Sequence, residues 1–493
     1  MTPSIVLLPI VPAVVAALLA TVGWRPTTMW LPAISCLTIS GLGIVVAAHV
    51  VDNGPVTAVE GQFRADAVSA LMIILIGAVG TVTSAYSVAH LRTELTTGTT
   101  TPQRARLFGA LMQLTIAAMC VVVISDNLGV LWVAIETTTI ATVLLVGHRR
   151  DRTSVEASWK YLVLGSVGVA TALMGTVLVY FVSRHSSGDA STALNWTSLV
   201  ERAPHLDPGA LRVAMGFVIV GYGTKAGLAP LHSWLPDAYS QAPAPAAALM
   251  AGVLSTMSMY ALLRFKVIAD IALGPHYVRT MLLIAAVMSL LTAASLMVTQ
   301  RDYKRLLAYS SVEHMGLIAL AAAIGSPLAM SAALLHMIGN GLAKSVAFST
   351  TGEMLFATGT TRIDGIRGLL HRRPFIAATF GVSLLALLGL PPFSILASEI
   401  AIVRAGVDDG LAWALAIALV VMLVIFVAVL VHALNMLAGS GDESTDAPGP
   451  AAHVTSLTAR IPLVGGLIVA AAIGVTIWPI SRLLDAAAEV LAR

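Results

Sequence analysis

Apolar residues fall along this chain into long Ala- and Leu-rich runs that show no alternation and are separated by short polar stretches. A helix of about 20 apolar residues crosses the roughly 30 Å of hydrocarbon in a bilayer, and on that template the chain predicts fourteen spans. They cover 4–22, 29–51, 66–89, 107–125, 127–147, 158–183 and 211–230, then 243–265, 277–299, 303–325, 328–357, 374–404, 410–438 and 461–480. Membrane strands would alternate in hydropathy at every second residue, and these runs do not. The first run has neither a basic stretch ahead of it nor a small-residue cleavage site behind it. It therefore reads as a span with an outside N-terminus, not as a signal peptide. The polar, Pro- and Gly-rich stretch 439–450 reads as a flexible connector.

Two runs are interrupted. GYGTKAGLAPLHSWLP (221–236) and GLPPFSILASE (389–399) place Gly and Pro where a continuous helix excludes them. One interrupted span in each half of a polytopic chain points to an ion path built on an internal repeat. Two harmless kinks are the plainer reading, since proline is common in membrane helices.

Composition narrows the class. Of 493 residues, 57% are hydrophobic and 11% charged, against about 25% charged in soluble domains. A soluble enzyme is excluded, and the pattern describes an all-α polytopic protein of the lipid bilayer. A net charge of +3, with basic residues in short separate clusters, gives no footprint for nucleic acid. Cys36 and Cys120 lie in apolar runs without CxxC spacing, so no metal, iron–sulfur or disulfide framework is expected. Outside Lys225 and Lys344, the Lys and Arg side chains fall 16 inside and 10 outside when the N-terminus is outside, as the positive-inside rule requires. Arg264, Lys266 and Arg279 run against that bias.

The informative charges are those left within spans. All 23 arginines sit in loops or at span edges, whereas two of the five lysines, Lys225 and Lys344, sit inside. Arginine stays protonated, but a desolvated lysine can give up its proton, so a transfer role selects lysine. Burying a charge costs about 2.5–3.5 kcal/mol on insertion scales and calls for a partner, water or a function. Glu136, about 13.5 Å along the helix from Asn127, is the expected direct partner of Lys225; a structural ion pair is the bland alternative. In the second half His336, Asn340 and Lys344 share one helix face at i, i+4, i+8. Glu313 and His314 lie in the preceding span, Glu353 further along the span of Lys344 itself, Glu399 follows the second break, and His232 lies within the first. A lone buried histidine is more often a packing residue, but six intramembrane ionisable groups favour a proton relay. His314, His336 and His432 each stand alone on their helix, which argues against haem ligation and for no cofactor in this chain.

At this point four blocks, 221–254, RDYKRLLAYSSVEHMG (301–316), LLHMIGNGLAKSVAFSTTG (334–352) and GLPPFSILASE (389–399), resemble the antiporter-like membrane subunits of respiratory complex I and its relatives, over roughly 66–404. Within that family, GYGTKAGLAPLHSWLPDA and AYSSVEHMG are most similar to the membrane subunits of hydrogenase-4 and formate hydrogenlyase-type complexes. The chain stops 13 residues after its last expected span, without the long lateral helix of the family's largest subunit type. The resemblance implies an inverted repeat of five-helix units at 107–265 and 277–438, with three helices in 1–106 before them and a connector, last span and short tail in 439–493.

The resemblance also implies roles. Glu136 matches the family's glutamate of the fifth helix, Lys225 its partner lysine, Lys344 the central lysine, His336 a conducting histidine and Glu399 the ionisable residue near the exit. Thr256 stands where many members carry Lys or His, and Asn340 where many carry a second His. At both points a hydroxyl or amide would have to hold bridging water. The expected function is proton translocation in a multisubunit oxidoreductase of the bacterial plasma membrane, with other membrane subunits and a peripheral redox arm as partners. A subunit of a Mrp-type cation/proton antiporter and a non-pumping membrane anchor are the alternatives.

Overall fold

The computed structural model describes residues 2–187, 191–439 and 454–492; the connector expected at 439–450 lies outside the described residues from 440 onward. The described residues form α1 (Thr2–Val22), α2 (Leu31–Asn53), a hairpin of β1 (Val56–Ala58) and β2 (Phe63–Ala65), α3 (Ala67–Thr96), α4 (Pro102–Ile124), α5 (Leu128–Val146), α6 (Arg152–Ser187), α7 (Trp196–Arg202) and α8 (Pro208–Ala226). After the first break come α9 (Trp234–Gln241), α10 (Ala244–Leu249), α11 (Ser255–Leu273), α12 (His276–Val298), α13 (Tyr303–Ile324), α14 (Pro327–Thr358), α15 (Leu369–Arg372) and α16 (Pro374–Leu387). After the second come α17 (Ser394–Asp408), α18 (Ala412–Ala438), α19 (Leu457–Val475) and α20 (Trp478–Leu491). The chain is an all-α polytopic membrane protein.

Among the described residues, 11 helical stretches are long and apolar enough to cross a membrane. Three of the fourteen expected spans are missing from that set: α8, α14 and the pair α16 and α17. These carry Lys225, Lys344 and Glu399. Polar residues lower the hydropathy of α8 and α14, whereas the second break divides the last of the three into two helices, each too short to span alone. α14 runs through the interior, packed by α3, α10, α13, α16, α17 and α19, and nearly all its residues from Ala329 to Met354 are buried.

Local signals explain most boundaries. Asn127 caps α5 by accepting from the amides of Gly129 and Val130, and Asp66, Thr101, Asp207, Asp302, Ser326 and Ser456 cap their helices in the same way. The last span ends earlier than expected, at Val475 and not at 480. The residues that follow form α20, which turns Leu483, Leu484, Ala487, Ala488 and Leu491 inward onto α3 and α14 while Trp478 stays exposed. A 3.6-residue apolar stripe too short to span a membrane was the available signal.

The three cations that ran against the positive-inside bias are all neutralised. Arg264 is 5% exposed and donates both guanidinium arms to Asp66, at 2.7 Å each, with Arg64 adding a third donor at 2.8 Å. Its guanidinium stacks against Trp196 and Tyr260. Lys266 pairs with Asp270, and Arg279 with Asp409. Pairing explains how these cations are accommodated where they stand; their count still runs against the positive-inside bias. Lys304 departs from its sequence reading in the opposite sense: counted with the inside loop, it is 1% exposed at the start of α13.

Candidate functional site

The first half is organised around Lys225 in the last turn of α8. Gly227, at φ +88°, ends that helix in the left-handed region with its amide donating to the Thr224 carbonyl, to which the Trp234 indole also donates, at 2.9 Å. The Ala229 amide donates to Ser289 at 2.9 Å, tying the break to α12. α6 and α8 run at backbone contact, because Gly168, Gly175 and Gly221 present no side chain where a Cβ would strike the opposite helix. That close approach brings Tyr161 of α6 to Lys225.

Lys225 Nζ donates to the Tyr161 hydroxyl at 2.6 Å. Tyr161 Oη and Thr142 Oγ1 lie 2.8 Å apart, and Thr142 donates to the Thr138 carbonyl at 2.6 Å. Lys225 also lies over the rings of Tyr161 and Trp234, which stack on each other. The direct Glu136–Lys225 contact expected from the sequence is absent. Glu136 is half-buried, feels Lys225 through space, and leaves Oε2 without a hydrogen-bond partner. The tyrosine takes the position next to the ammonium because the glycine-lined α6–α8 contact puts it there. His232 stands half-buried in the same break and makes no hydrogen bond to any other candidate among the described residues.

Between the halves, Tyr239 lies 2.8 Å from Ser255 and donates to the Met250 carbonyl at 3.2 Å. That carbonyl belongs to a π-helical turn, Met250–Leu254, which the sequence did not announce; such turns often mark functional sites. Here the chain crosses α14 at backbone contact, a Cβ on Gly341 falling 2.6 Å from the Gly252 carbonyl. Thr256 and Asn340 flank this crossing. Both are 0% exposed, and Thr256 Oγ1 and both amide atoms of Asn340 have no partner within the protein. Buried polar atoms left in this way suit bridging water.

In the second half, Lys344 Nζ donates to the Leu307 carbonyl at 2.6 Å and to Ser310 Oγ, both on α13. A cavity of about 10 Å³ lined by Ser310 and Glu313 adjoins it, about the space of one water. Glu313 lies within electrostatic reach of both Lys344 and Glu399. The two histidines read as solitary face each other across α13 and α14, His314 Nδ1 lying 3.0 Å from His336 Nε2. His336 Nδ1 is 2.9 Å from Ser398 Oγ, whose hydrogen is given to the Ile395 carbonyl at 2.7 Å. In the neutral pair His336 therefore donates to Ser398 and accepts from His314, which makes the pair a directional hydrogen-bonded wire. His432, by contrast, lies 3.2 Å from the Met297 carbonyl and acts in packing.

Glu399 is folded under the second break. Gly389 is left-handed at φ +64°, and a Cβ there would lie 2.4 Å from Glu399 Oε2. Gly389→Ala is expected to cost about 1–2 kcal/mol in backbone strain and to displace the Glu399 carboxylate. The thermal midpoint of the purified protein should fall; an unchanged midpoint would show that the break relaxes freely.

The structure thus brings Lys344, Glu313, Glu399, His314 and His336 into one cluster and Lys225, Tyr161 and Thr142 into another, with Thr256 and Asn340 between them. Glu136 stands apart from Lys225, and His232 outside both. Tyr161 was missed by sequence reasoning; Gly168, Gly175 and Gly221, marking a close helix contact, were the signal that could have located it.

Comparison with known proteins accords with this architecture. Residues 125–426 match the family described as NADH:quinone oxidoreductase/Mrp antiporter, transmembrane. The hydrogenase-4 component F homolog of Methylacidiphilum infernorum is 38% identical over 345 residues, 70% of this chain and 72% of that protein. NADH-quinone oxidoreductase subunit N of Desulforudis audaxviator is 32% identical over 323 residues, 65% of this chain and 62% of that one. In fold, the chain superposes on a chain of the Mrp complex from Dietzia sp. with a TM-score of 0.86 at 22% identity, covering 100% and 98% of the two chains. Against a chain of the archaeal membrane-bound sulfane sulfur reductase the TM-score is 0.85 at 23% identity, with the same coverage. By the extent of its family match and by its identity to these relatives, the chain belongs to the NADH:quinone oxidoreductase/Mrp antiporter family of membrane subunits.

Proposed function

We propose that this chain moves protons through a line running from Lys225 by way of Thr256 and Asn340 to Lys344 and on to Glu399, as a subunit of a multisubunit oxidoreductase of the hydrogenase-4 type in a bacterial plasma membrane. A peripheral redox arm and further membrane subunits are its partners, and the two breaks mark its two antiporter-like repeats. One observation carries the reading. Both lysines are buried, at 1% and 0% exposure, yet neither touches a carboxylate; each is held by a hydroxyl, Tyr161 or Ser310. A structural lysine would be locked to a carboxylate, whereas a hydroxyl can hold the amine in either protonation state.

Through-space coupling supplies the drive. A unit-charge contact at 4 Å is worth about 4 kcal/mol at an effective dielectric of 20, and moving one charge against 100 mV costs about 2.3 kcal/mol. Closing or opening the gap between Glu136 and Lys225 is therefore large enough to hold or release a proton. In reconstituted complex, Glu136→Gln should slow proton movement roughly tenfold, the size of a 1.4 kcal/mol coupling. A membrane anchor with no transport role would be indifferent to the change. The likeness to the Mrp complex supports a second reading, a cation/proton antiporter subunit. Co-purifying subunits separate the two: nickel-binding cysteine motifs favour the first, and small antiporter subunits without redox centres favour the second.

A further inference from the structure

A second group of buried ionisable side chains lies outside the line described above. On α3, Tyr86, His90 and Glu94 follow one another at i, i+4, i+8, the spacing of His336, Asn340 and Lys344 on α14, and are 0%, 1% and 4% exposed. Tyr86 donates to Glu353 Oε1 at 3.1 Å. His90 Nε2 lies 3.3 Å from Glu94 Oε1 in poor hydrogen-bond alignment, and His90 Nδ1 and Glu94 Oε2 have no partner. A structural histidine at this depth would have both ring nitrogens satisfied.

The group is connected at both ends. Towards the inside surface, His148 acts electrostatically on Glu94 and forms part of the wall of a cavity of about 320 Å³, together with Arg104 and Arg150. Beside the group, in the first turn of α13, stands Lys304, buried and acted on by the charges of Arg149, Asp302 and Glu94. Lys304 begins α13, and six residues further along, about 9 Å on the helix axis, Ser310 accepts from Lys344.

We propose that Tyr86, His90, Glu94 and Glu353, with His148 at the mouth and Lys304 at the α13 end, form a proton-loading site that draws protons from the inside face and delivers them past Ser310 to Lys344. The site rests on the proton-moving reading given above and deepens it, naming where the central lysine is loaded from the inside face while its release stays coupled to Lys225. The groups around His90 and Glu94 are Tyr86 on the same helix and the Phe356 ring of α14 against His90, Glu353 of α14 through Tyr86, His148 near both, and Arg149 after α5 and Lys304 of α13 near Glu94.

The test uses whole complex in proteoliposomes, with proton uptake followed as a function of inside pH. His90→Gln and Glu94→Gln should each slow uptake about tenfold or more. They should also move the pH of half-maximal uptake downward, because without the relay, loading becomes limiting at a higher proton concentration. Tyr86→Phe should shift the profile in the same direction by less. Wild-type rates and pH profiles in all three, alongside an inactive Lys344→Ala, would overturn the loading site and leave the central line standing. Retained uptake in Lys344→Ala would overturn both. Should the His90 and Glu94 variants fail to assemble, Tyr86→Phe and Lys304→Gln decide by the same shift or its absence.

Discussion

Lys225→Ala and Lys344→Ala are each expected to abolish proton movement while the complex still assembles. A positioned group that accepts and releases a proton contributes typically 10²–10⁴-fold, so the loss should be at least about a hundredfold. Alanine has no titratable atom, and the neighbouring hydroxyls of Tyr161 and Ser310 do not carry a proton charge across the gap. Assembly is expected to survive for an energetic reason. Each lysine is buried without a carboxylate contact, so its removal leaves no orphan anion, and it relieves an insertion cost of about 2.5–3.5 kcal/mol. The measurement pairs uptake in proteoliposomes with subunit stoichiometry after purification. Unaltered uptake in both variants would refute the role assigned to the lysines.

The opposite outcome is expected where a buried charge is fully paired. Asp66→Ala removes the partner of Arg264, the acceptor of Arg64 and the N-cap of α3 in one step. Breaking a buried pair from one side costs about 3–5 kcal/mol, since the surviving charge stays desolvated, and the lost cap adds about 1 kcal/mol. The thermal midpoint in detergent should fall sharply. Asp66→Ala combined with Arg264→Met should recover a good part of the loss, because the stranded cation is then gone. A double variant no more stable than the single one would show that the cap and packing, not the ion pair, hold this corner.

These two cases show where sequence was informative. Helix existence, the two breaks and the boundary at Asn127 depend on residues adjacent in the chain, and hydropathy, Gly, Pro and capping chemistry report on them directly. The roles of cations depend on what folds against them. Arg264 looked like an outside loop charge because its partner Asp66 lies 198 positions away, and Lys304 looked like part of an inside basic cluster because Arg301 and Arg305 surround it in the sequence. The candidate site divides similarly. Lys225, Lys344, His336 and Glu399 were legible as charges or histidines in apolar helices, whereas Tyr161 was indistinguishable from an ordinary aromatic of a long span. That His314 meets His336 required knowing which faces of α13 and α14 oppose. The π-helical turn carries no residue pattern at all; it arises from how α10 and α11 are held against α14.

That same crossing has an electrical meaning. Where Gly252 and Gly341 touch, two helices meet without side chains, and the neighbouring Thr256 and Asn340 are the polar atoms that flank the junction. Under the proposed line the two glycines act as a spacer: they set how far apart the polar atoms on either side of the junction stand, and they do so with no ionisable atom of their own. A bulkier residue at either position would change the conversation between the halves while leaving every acid and base in place.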